Sequence, residues 1–219
     1  MGVTERCIAL LGGSFDPVHQ GHVALARYFF QLLTPDEVRI IPAGNPWQKG
    51  LLQASAEDRV AMIRCAFDTQ SMPVSIDLQE IQRHTATYTI DTLKAIRAEL
   101  GPLASIVFLI GADQLQHLDT WHDWQQLFEY AHLCAASRPG FATDASNIPE
   151  AVNQEFSRRA ATPEQIRGSA CGLTYLAKDL SIGISATEIR TALQHGGRSE
   201  LLVPPQVLDY IESHHLYKS

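Results

Sequence analysis

The chain has 219 residues, 45% of them hydrophobic and 19% charged, and a formal net charge of −7 at pH 7. This composition is typical of a globular protein with a buried core. The negative charge argues against a protein that coats nucleic acid or an anionic membrane, because such binding normally uses a basic surface. The sequence contains no apolar run of the ~18 residues needed to span a bilayer, and residues 1–6 lack the basic start of a signal peptide. We therefore expect a cytoplasmic protein with no nucleic-acid or membrane partner.

Short apolar runs and helical patterns alternate along the chain, which predicts a parallel sheet with helices on both faces. The predicted strands are residues 7–11, 37–42, 74–78, 105–110, 132–136 and 173–177. The predicted helices are residues 22–33, 55–67, 89–100, 150–161, 185–195 and 205–214, with weaker helical segments between 112 and 130. No repeat, low-complexity tract or linker divides this pattern. We expect a single Rossmann-like, doubly wound α/β domain over residues 1–219.

The loop after the first predicted strand, residues 12–22 (GGSFDPVHQGH), combines glycines, an Asp-Pro turn and two histidines. In an open parallel sheet this loop is the usual phosphate position, but neither the G-x-G-x-x-G nor the G-x-x-x-x-G-K-[ST] phosphate loop is present. Gly12 and Gly13 are expected to let a ligand approach the backbone closely. His19 and His22 are three residues apart, so a helix that begins between them directs both imidazoles the same way beside its unpaired N–H groups. Each feature alone is more typical of a turn or a helix cap, but together they favour a pocket for phosphate oxygens.

A second candidate element lies near residue 185. Ser185 and Glu188 have the S-x-x-E spacing of a capping box, so helix initiation by itself accounts for both residues. Thr187 and Arg190 are three residues apart on one face of that helix. A hydroxyl and a guanidinium in this arrangement can bind phosphate oxygens together.

These two segments carry a resemblance to a known superfamily. Residues 12–22, with the pattern His-x-Gly-His, resemble the signature of the HxGH nucleotidyltransferases. Residues 184–190 (ISATEIR) resemble the second signature of that superfamily, ISSTxxR, with Ala186 in place of the second serine. Members of the superfamily transfer a nucleoside monophosphate from a triphosphate and release pyrophosphate. The resemblance implies that Thr187 and Arg190 reach the phosphates from the side opposite the histidines.

Within the superfamily, the chain is similar to the bacterial nicotinate-nucleotide adenylyltransferases over nearly its whole length. The resemblance rests on several blocks whose order and spacing are those of the family. They are GGSFDPVHQGH at 12–22, IIPAGNPWQK at 40–49, Tyr88-Thr89 with DTL at 91–93, IGADQL at 110–115, Thr120-Trp121, SRPG at 137–140 and ISATEIR at 184–190. The resemblance implies an enzyme that joins nicotinate mononucleotide to the AMP part of ATP, giving deamido-NAD and pyrophosphate. It also implies Mg²⁺, which we expect to arrive with the ATP phosphates because the sequence shows no dedicated protein site for the metal.

The resemblance assigns roles to individual residues. The expected catalytic residues, which position phosphates and stabilise developing charge, are His19, His22, Lys49 and Arg190. The expected ATP-binding residues are Gly12, Gly13, Ser14, Phe15, His19, His22, Gly111, Asp113, Arg138, Ser185, Thr187 and Arg190. The expected residues for nicotinate mononucleotide are Ser14, Phe15, Lys49, Thr89 and Trp121. Trp121 is expected to stack on the nicotinate ring, and Thr89 to bind its carboxylate.

One segment departs from the family pattern. Where many members have Pro-Pro-His-Lys, this chain has Pro46-Trp47-Gln48-Lys49. The lysine is kept and the histidine is absent, so no role of that histidine is transferred to this chain.

Two alternative functions stay open at this point. The first is another enzyme of the superfamily, with nicotinamide mononucleotide, pantetheine phosphate or FMN as the acceptor. The second is a nucleotide-binding regulator without turnover, against which the presence of both histidines, Lys49 and Arg190 counts. The sequence also leaves the oligomeric state open, a homodimer included.

Overall fold

The carboxyl ends of parallel strands meet at one edge of a central sheet. The computed structural model describes residues 6–44, 52–83, 85–136, 147–177, 180, 184–197 and 200–218. Within these ranges the strands are β1 (Cys7–Gly13), β2 (Glu37–Pro42), β3 (Val74–Ile76), β4 (Ser105–Gly111), β5 (His132–Ala136) and β6 (Thr174–Ala177). All of the pairings are parallel, and the order across the sheet is β3-β2-β1-β4-β5-β6. The chain therefore reverses its winding direction between β1 and β4, the position where open α/β sheets form a ligand crevice.

Helices connect the strands. In the described ranges they are α1 (Gln20–Leu33), α2 (Ala56–Phe67), α3 (Thr89–Leu100), α4 (Leu127–Tyr130), α5 (Glu150–Arg158), α6 (Pro163–Arg167), α7 (Ala186–Gln194) and α8 (Pro205–Ser213). Two 3₁₀ helices, Ala112–Thr120 and Trp124–Gln126, follow β4. The starts of several helices have clear local causes. Before α2, for example, the Ser55 hydroxyl accepts a hydrogen bond from the Asp58 N–H at 3.0 Å, which is ordinary N-capping.

The core lies on both faces of the sheet, as the alternation along β1 shows. Ala9 and Leu11 belong to the hydrophobic cluster that also contains buried residues of α1, α2 and α8. Ile8 and Leu10 belong to the opposite cluster, which contains buried residues of α3, α4 and α5. Because successive strand side chains point to opposite faces, a continuous apolar run is what a strand covered on both sides requires.

The structure confirms the predicted Rossmann-like α/β class, and each predicted strand and helix has a counterpart in the described residues. Helix α6 is an element that the sequence reasoning missed. Pro163 occupies the first position of this helix, where the backbone N–H that proline lacks would have no acceptor within the helix. Thr162 caps this helix, and its hydroxyl accepts the Gln165 N–H at 3.3 Å. Within the described ranges, no helix combines the length and the apolar character needed to cross a membrane.

Candidate active site

A cavity of about 480 Å³ lies at the carboxyl ends of β1 and β4. Gly12 and Gly13 at the end of β1 line it, as do Ile110 and Gly111 at the end of β4. The cavity thus occupies the crevice that the reversal of strand order creates. Its volume lies within the range of small-molecule and nucleotide sites.

Three helices of the described ranges begin at this cavity. His22 in the first turn of α1, Thr89 at the first position of α3 and Thr187 in the first turn of α7 all line it. The first N–H groups of a helix have no intrahelical acceptor, and the helix dipole places partial positive charge there. Three such N-termini around one cavity give it local positive potential of the kind that anionic groups favour.

The two histidines of the His-x-Gly-His pattern lie together, as predicted. Their rings stack with centroids 3.7 Å apart and planes at 26°. His19 is the N-cap of α1, and its backbone N–H donates to Nδ1 of His22 at 3.2 Å. An imidazole nitrogen that accepts a hydrogen bond carries no proton, so the proton of a neutral His22 is on Nε2. His22 lines the cavity, and Nε2–H is the donor of its neutral ring.

The glycines of the loop make room for aromatic rings. A Cβ atom at Gly12 would lie 3.2 Å from the ring of Phe108, and one at Gly13 would lie 3.2 Å from the ring of Phe15. A side chain at either position would therefore be crowded by one of these rings. The left-handed backbone in this loop is at Phe15, whose φ is 50°, and not at a glycine.

Phe15 itself is placed in the core. Its side chain is fully buried and is absent from the described lining of the cavity. The ring instead lies 4.7 Å from that of His22, tilted by 54°. Burial of a large aromatic ring is favourable, so Phe15 supports the histidine from the protein side, and any contact of Phe15 with substrate stays a prediction.

The second signature lies at the start of α7, on the cavity. Ser185 is the N-cap, as its spacing predicts, but its side chain makes no capping hydrogen bond, so the predicted capping box is wrong. Ser185 and Thr187 line the cavity, and Arg190 does not belong to that lining. The Arg190 guanidinium donates from Nη1 to the Asp16 carbonyl at 2.6 Å and from Nη2 to the Thr187 hydroxyl at 3.2 Å. The arginine therefore lies behind Thr187 and joins α7 to the histidine loop.

An aromatic wall forms another side of the cavity. Trp121, Tyr88 and His122 line it, and the rings of Tyr88 and His122 lie 4.6 Å apart. The indole N–H of Trp121 is buried and has no hydrogen-bond acceptor among the described residues. Because buried polar groups are normally paired, an unpaired donor in the wall of a cavity is a sign of a site adapted to a ligand.

Glu80 is a cavity residue that sequence reasoning missed. Its Oε1 accepts from the Thr92 hydroxyl at 2.7 Å, and Thr87 and the backbone of Gly44 also bond to the carboxylate. Burial raises the pKa of Glu80, while these bonds and the nearby Arg83 oppose the increase. In the sequence Glu80 is one acidic residue in a polar segment, so no local pattern distinguishes it.

Of the remaining expected residues, some line the cavity and others lie outside the described residues. Asp113 lines the cavity and accepts from the Gln114 amide at 2.8 Å. A Cβ at Gly111 would overlap Oδ1 of Asp113, so the carboxylate would have to shift. Lys49 and Arg138 lie outside the described residues. The expected residues that the structure brings together around the cavity are Gly12, Gly13, Ser14, His19, His22, Thr89, Gly111, Asp113, Trp121, Ser185 and Thr187.

Comparison with known proteins first identifies a broad protein family and its fold. The family model for cytidylyltransferase-like proteins matches residues 10–192. A solved structure of Plasmodium falciparum nicotinic acid mononucleotide adenylyltransferase, complexed with NaAD, superposes with a TM-score of 0.75 over 97% of this chain and 98% of that one. The two sequences are 20% identical, so this likeness concerns the fold.

Comparison with curated relatives then narrows the class. A protein of Herminiimonas arsenicoxydans is 70% identical over 219 residues, which is the full length of both chains. A protein of Laribacter hongkongensis is 44% identical over 217 residues, 97% of this chain and 94% of the relative. Both carry the name "Probable nicotinate-nucleotide adenylyltransferase". The chain therefore belongs to the cytidylyltransferase-like family and, within it, to the nicotinate-nucleotide adenylyltransferases, which are nucleotidyltransferases of NAD biosynthesis.

Proposed function

We propose that the cavity joins nicotinate mononucleotide to the AMP part of ATP, forming deamido-NAD and pyrophosphate. The observation that carries the proposal is the convergence of three helix N-termini, the His19–His22 pair and the Trp121 indole on one cavity. The helix N-termini suit substrates that bear phosphates and a carboxylate. The indole suits an aromatic ring.

The reaction needs little acid–base chemistry from the protein. The phosphate of the mononucleotide is already anionic at neutral pH, so one of its oxygens attacks the α-phosphorus of ATP directly. A bond forms between that oxygen and the α-phosphorus, and the bond from the α-phosphorus to the bridging oxygen of pyrophosphate breaks. Catalysis then consists of in-line positioning and stabilisation of the developing charge.

The histidines are the groups proposed for the phosphate being transferred. His22 presents its Nε2–H to the α-phosphate, because its Nδ1 already accepts the His19 N–H. The ring stack on His19 and the contact with Phe15 hold this imidazole in place. A donor that is fixed before the reaction needs no reorganisation in the transition state, which is the condition for strong electrostatic catalysis.

The start of α7 is proposed to bind the pyrophosphate side. The Ser185 and Thr187 hydroxyls line the cavity there. Arg190 does not line the cavity, and we propose that its positive charge behind Thr187 stabilises the leaving pyrophosphate from there, while Lys49 is proposed to contact the pyrophosphate oxygens. Arg138 is proposed for the adenine or its phosphates. The contributions of Lys49 and Arg138 rest on the family resemblance alone.

The start of α3 and the aromatic wall are proposed as the acceptor subsite. Trp121 stacks on the nicotinate ring, and Thr89 with the first N–H groups of α3 binds the nicotinate carboxylate. The positive end of a helix dipole favours a carboxylate over a neutral amide, so this subsite favours nicotinate over nicotinamide mononucleotide. Glu80, also at the cavity, has its carboxylate held by hydrogen bonds from Thr92, Thr87 and Gly44.

Magnesium is proposed to enter with ATP. The described residues include no group of three His, Cys, Asp or Glu side chains placed to hold a metal ion. Mg²⁺ commonly binds to substrate phosphates with one or two protein carboxylates and waters, and Asp113 is a carboxylate of the cavity that fits this arrangement. When bound, the ion would neutralise charge on the phosphates.

The decisive experiment compares acceptors. Purified protein is given ATP and Mg²⁺ with nicotinate mononucleotide, nicotinamide mononucleotide, FMN or phosphopantetheine in parallel, and pyrophosphate release is measured. The His22→Ala variant serves as the control for contaminating activity. A strong preference for nicotinate mononucleotide is the expected result.

Two other results would point elsewhere. Preference for a different acceptor would assign the chain to another adenylyl transfer and refute the acceptor subsite described above. Tight ATP binding without pyrophosphate release from any acceptor would indicate a nucleotide-binding regulator.

A further inference from the structure

A buried network behind the cavity centres on Asp16, in the loop between β1 and α1. Asp16 is 3% exposed, and its carboxylate accepts three hydrogen bonds. The Gln53 N–H donates to Oδ2 at 2.8 Å, and the Ala54 N–H donates to Oδ1 at 3.0 Å. The third donor is the Tyr217 hydroxyl, which lies 2.6 Å from Oδ1. Asp16 precedes His19 by three residues. The contacts of Asp16 therefore constrain the backbone that leads into the histidine pair.

Tyr217 comes from a distant part of the chain, 201 residues after Asp16. The side chain is 7% exposed, and the residue adopts the left-handed region with φ of 58°. This conformation is uncommon for a residue other than glycine. The segment after α8 is thus folded back so that one phenol hydroxyl meets the carboxylate of the histidine loop.

Other hydrogen bonds also hold the same loop. Arg59, which is 2% exposed, donates to the Ser14 carbonyl at 2.8 Å. Arg190 donates to the Asp16 carbonyl at 2.6 Å. The N–H of Gln20, the first residue of α1, donates to the Leu202 carbonyl at 2.8 Å. Hydrogen bonds therefore hold the loop both before and after His19 in the chain.

We propose that Tyr217 is a positioning residue for adenylyl transfer, acting through Asp16 to hold the histidine loop where His19 and His22 meet the transferred phosphate. The inference rests on the proposed function for its kinetic consequence, while the structural link between Tyr217 and the histidines is independent of which acceptor is used. A charge-assisted bond to a buried carboxylate is strong. Its loss leaves Asp16 Oδ1 with the Ala54 N–H as its remaining donor among the described residues.

The expected kinetic effect follows from this geometry. The Tyr217→Phe variant keeps the ring packing and removes only the hydroxyl. Small displacements of catalytic groups reduce the rate of the chemical step by up to about a hundredfold, so kcat is expected to fall roughly ten- to a hundredfold. The KM values for ATP and the mononucleotide stay close to those of the wild type, because Tyr217 contributes no surface to the described lining of the cavity.

The chain offers a matched control in Tyr210. Its hydroxyl donates to Asp58 Oδ1 at 2.9 Å and joins α8 to α2. The Tyr210→Phe variant therefore also removes a phenol-carboxylate bond from the same region, but without contacting the histidine loop. Thermal unfolding of both variants checks that each is folded, and kcat of Tyr210→Phe is expected to match that of the wild type.

A second measurement does not depend on turnover. Proteins with ¹⁵N-labelled histidines are compared by long-range ¹H–¹⁵N spectroscopy, with His19 and His22 assigned from single substitutions. The ring-nitrogen signals of both histidines are expected to shift in Tyr217→Phe and to stay unchanged in Tyr210→Phe. Equal kcat in the two folded variants, or unchanged His19 and His22 signals in Tyr217→Phe, would overturn the proposal. Absence of pyrophosphate release from the wild type would refute the proposed function instead, and the histidine signals would then decide the role of Tyr217.

Discussion

A buried histidine outside the active site predicts how the protein responds to acid. His132, the first residue of β5, is fully buried. Its Nε2 donates to the Ser169 carbonyl at 2.9 Å, and its Nδ1 accepts the Leu173 N–H at 3.1 Å. These two bonds require the neutral imidazole, because a protonated ring has no acceptor for Leu173. Burial is the main cause that lowers the pKa of His132 from 6.5 to about 4.

The sign and size of the effect follow from proton linkage. Between about pH 6.5 and pH 4 the unfolded chain binds a proton at His132 that the folded chain does not, so acid favours unfolding in this window. Above pH 6.5 both states are neutral, and below about pH 4 both are protonated. At ~1.4 kcal/mol per pH unit, the separation of the two pKa values corresponds to a loss of about 3 kcal/mol of unfolding free energy across the window.

The assay is urea unfolding of the wild type and of His132→Gln at several pH values from about 7 to 4.5. The glutamine amide supplies an N–H donor and a carbonyl acceptor in place of the two imidazole nitrogens, and it does not titrate in this range. The wild type is expected to lose roughly 2 to 3 kcal/mol more than His132→Gln as the pH falls. The exposed His117 provides the control, since His117→Gln should follow the wild-type curve. If the wild type and His132→Gln lose stability in parallel, the reasoning is refuted.

Three further substitutions test the site. His22→Ala should lower kcat by roughly 10²–10³, since it removes a positioned donor to the transferred phosphate, with the circular dichroism spectrum unchanged. Trp121→Ala should raise KM for nicotinate mononucleotide and leave KM for ATP near the wild-type value, as steady-state kinetics with each substrate varied would show. Gly44→Ala should lower the unfolding free energy by roughly 1–3 kcal/mol, because its Cβ would collide with the Glu80 carbonyl, and urea unfolding measures this loss.

Each of these expectations has a clear contrary result. Near-normal pyrophosphate release from folded His22→Ala would remove that histidine from the mechanism. Equal increases in both KM values for Trp121→Ala would rule out stacking on the acceptor. If the unfolding free energy of Gly44→Ala equals that of the wild type, the segment around Glu80 must move aside with no loss of stability.

The local pattern of residues was sufficient to predict the strands, a helix directly after the first loop and the pairing of His19 with His22. A buried strand followed by glycines and a helix start has few alternative structures, so nearby residues decide it. The same reasoning was wrong about the capping box at Ser185. Spacing permits that bond, but the N-cap side chain faces a cavity that only the folded chain creates.

The roles of Phe15 and Arg190 also depended on distant contacts. In the sequence Phe15 stands among site residues, yet the core buries its ring. Arg190 was expected at the phosphates, and the structure places its guanidinium on the Asp16 carbonyl and the Thr187 hydroxyl. Sequence spacing sets which residues share a helix face, but it carries no information about which distant backbone oxygen a long side chain will meet.

The amino-acid sequence by itself thus indicated the α/β class and membership of an adenylyl-transferring family, because both depend on short segments with characteristic spacing. From the same kind of pattern it predicts that the first loop binds phosphate. The tertiary structure alone decided that the starts of α1, α3 and α7 surround one cavity, that Glu80 belongs to it, and that Tyr217 reaches Asp16 from 201 residues away. The physical reason is the distance along the chain over which each kind of interaction acts. Hydrogen bonding and hydrophobic periodicity act within a turn or a strand, whereas the meeting of helix ends and the burial of a carboxylate with its donors exist only once the sheet has assembled and its helices have packed.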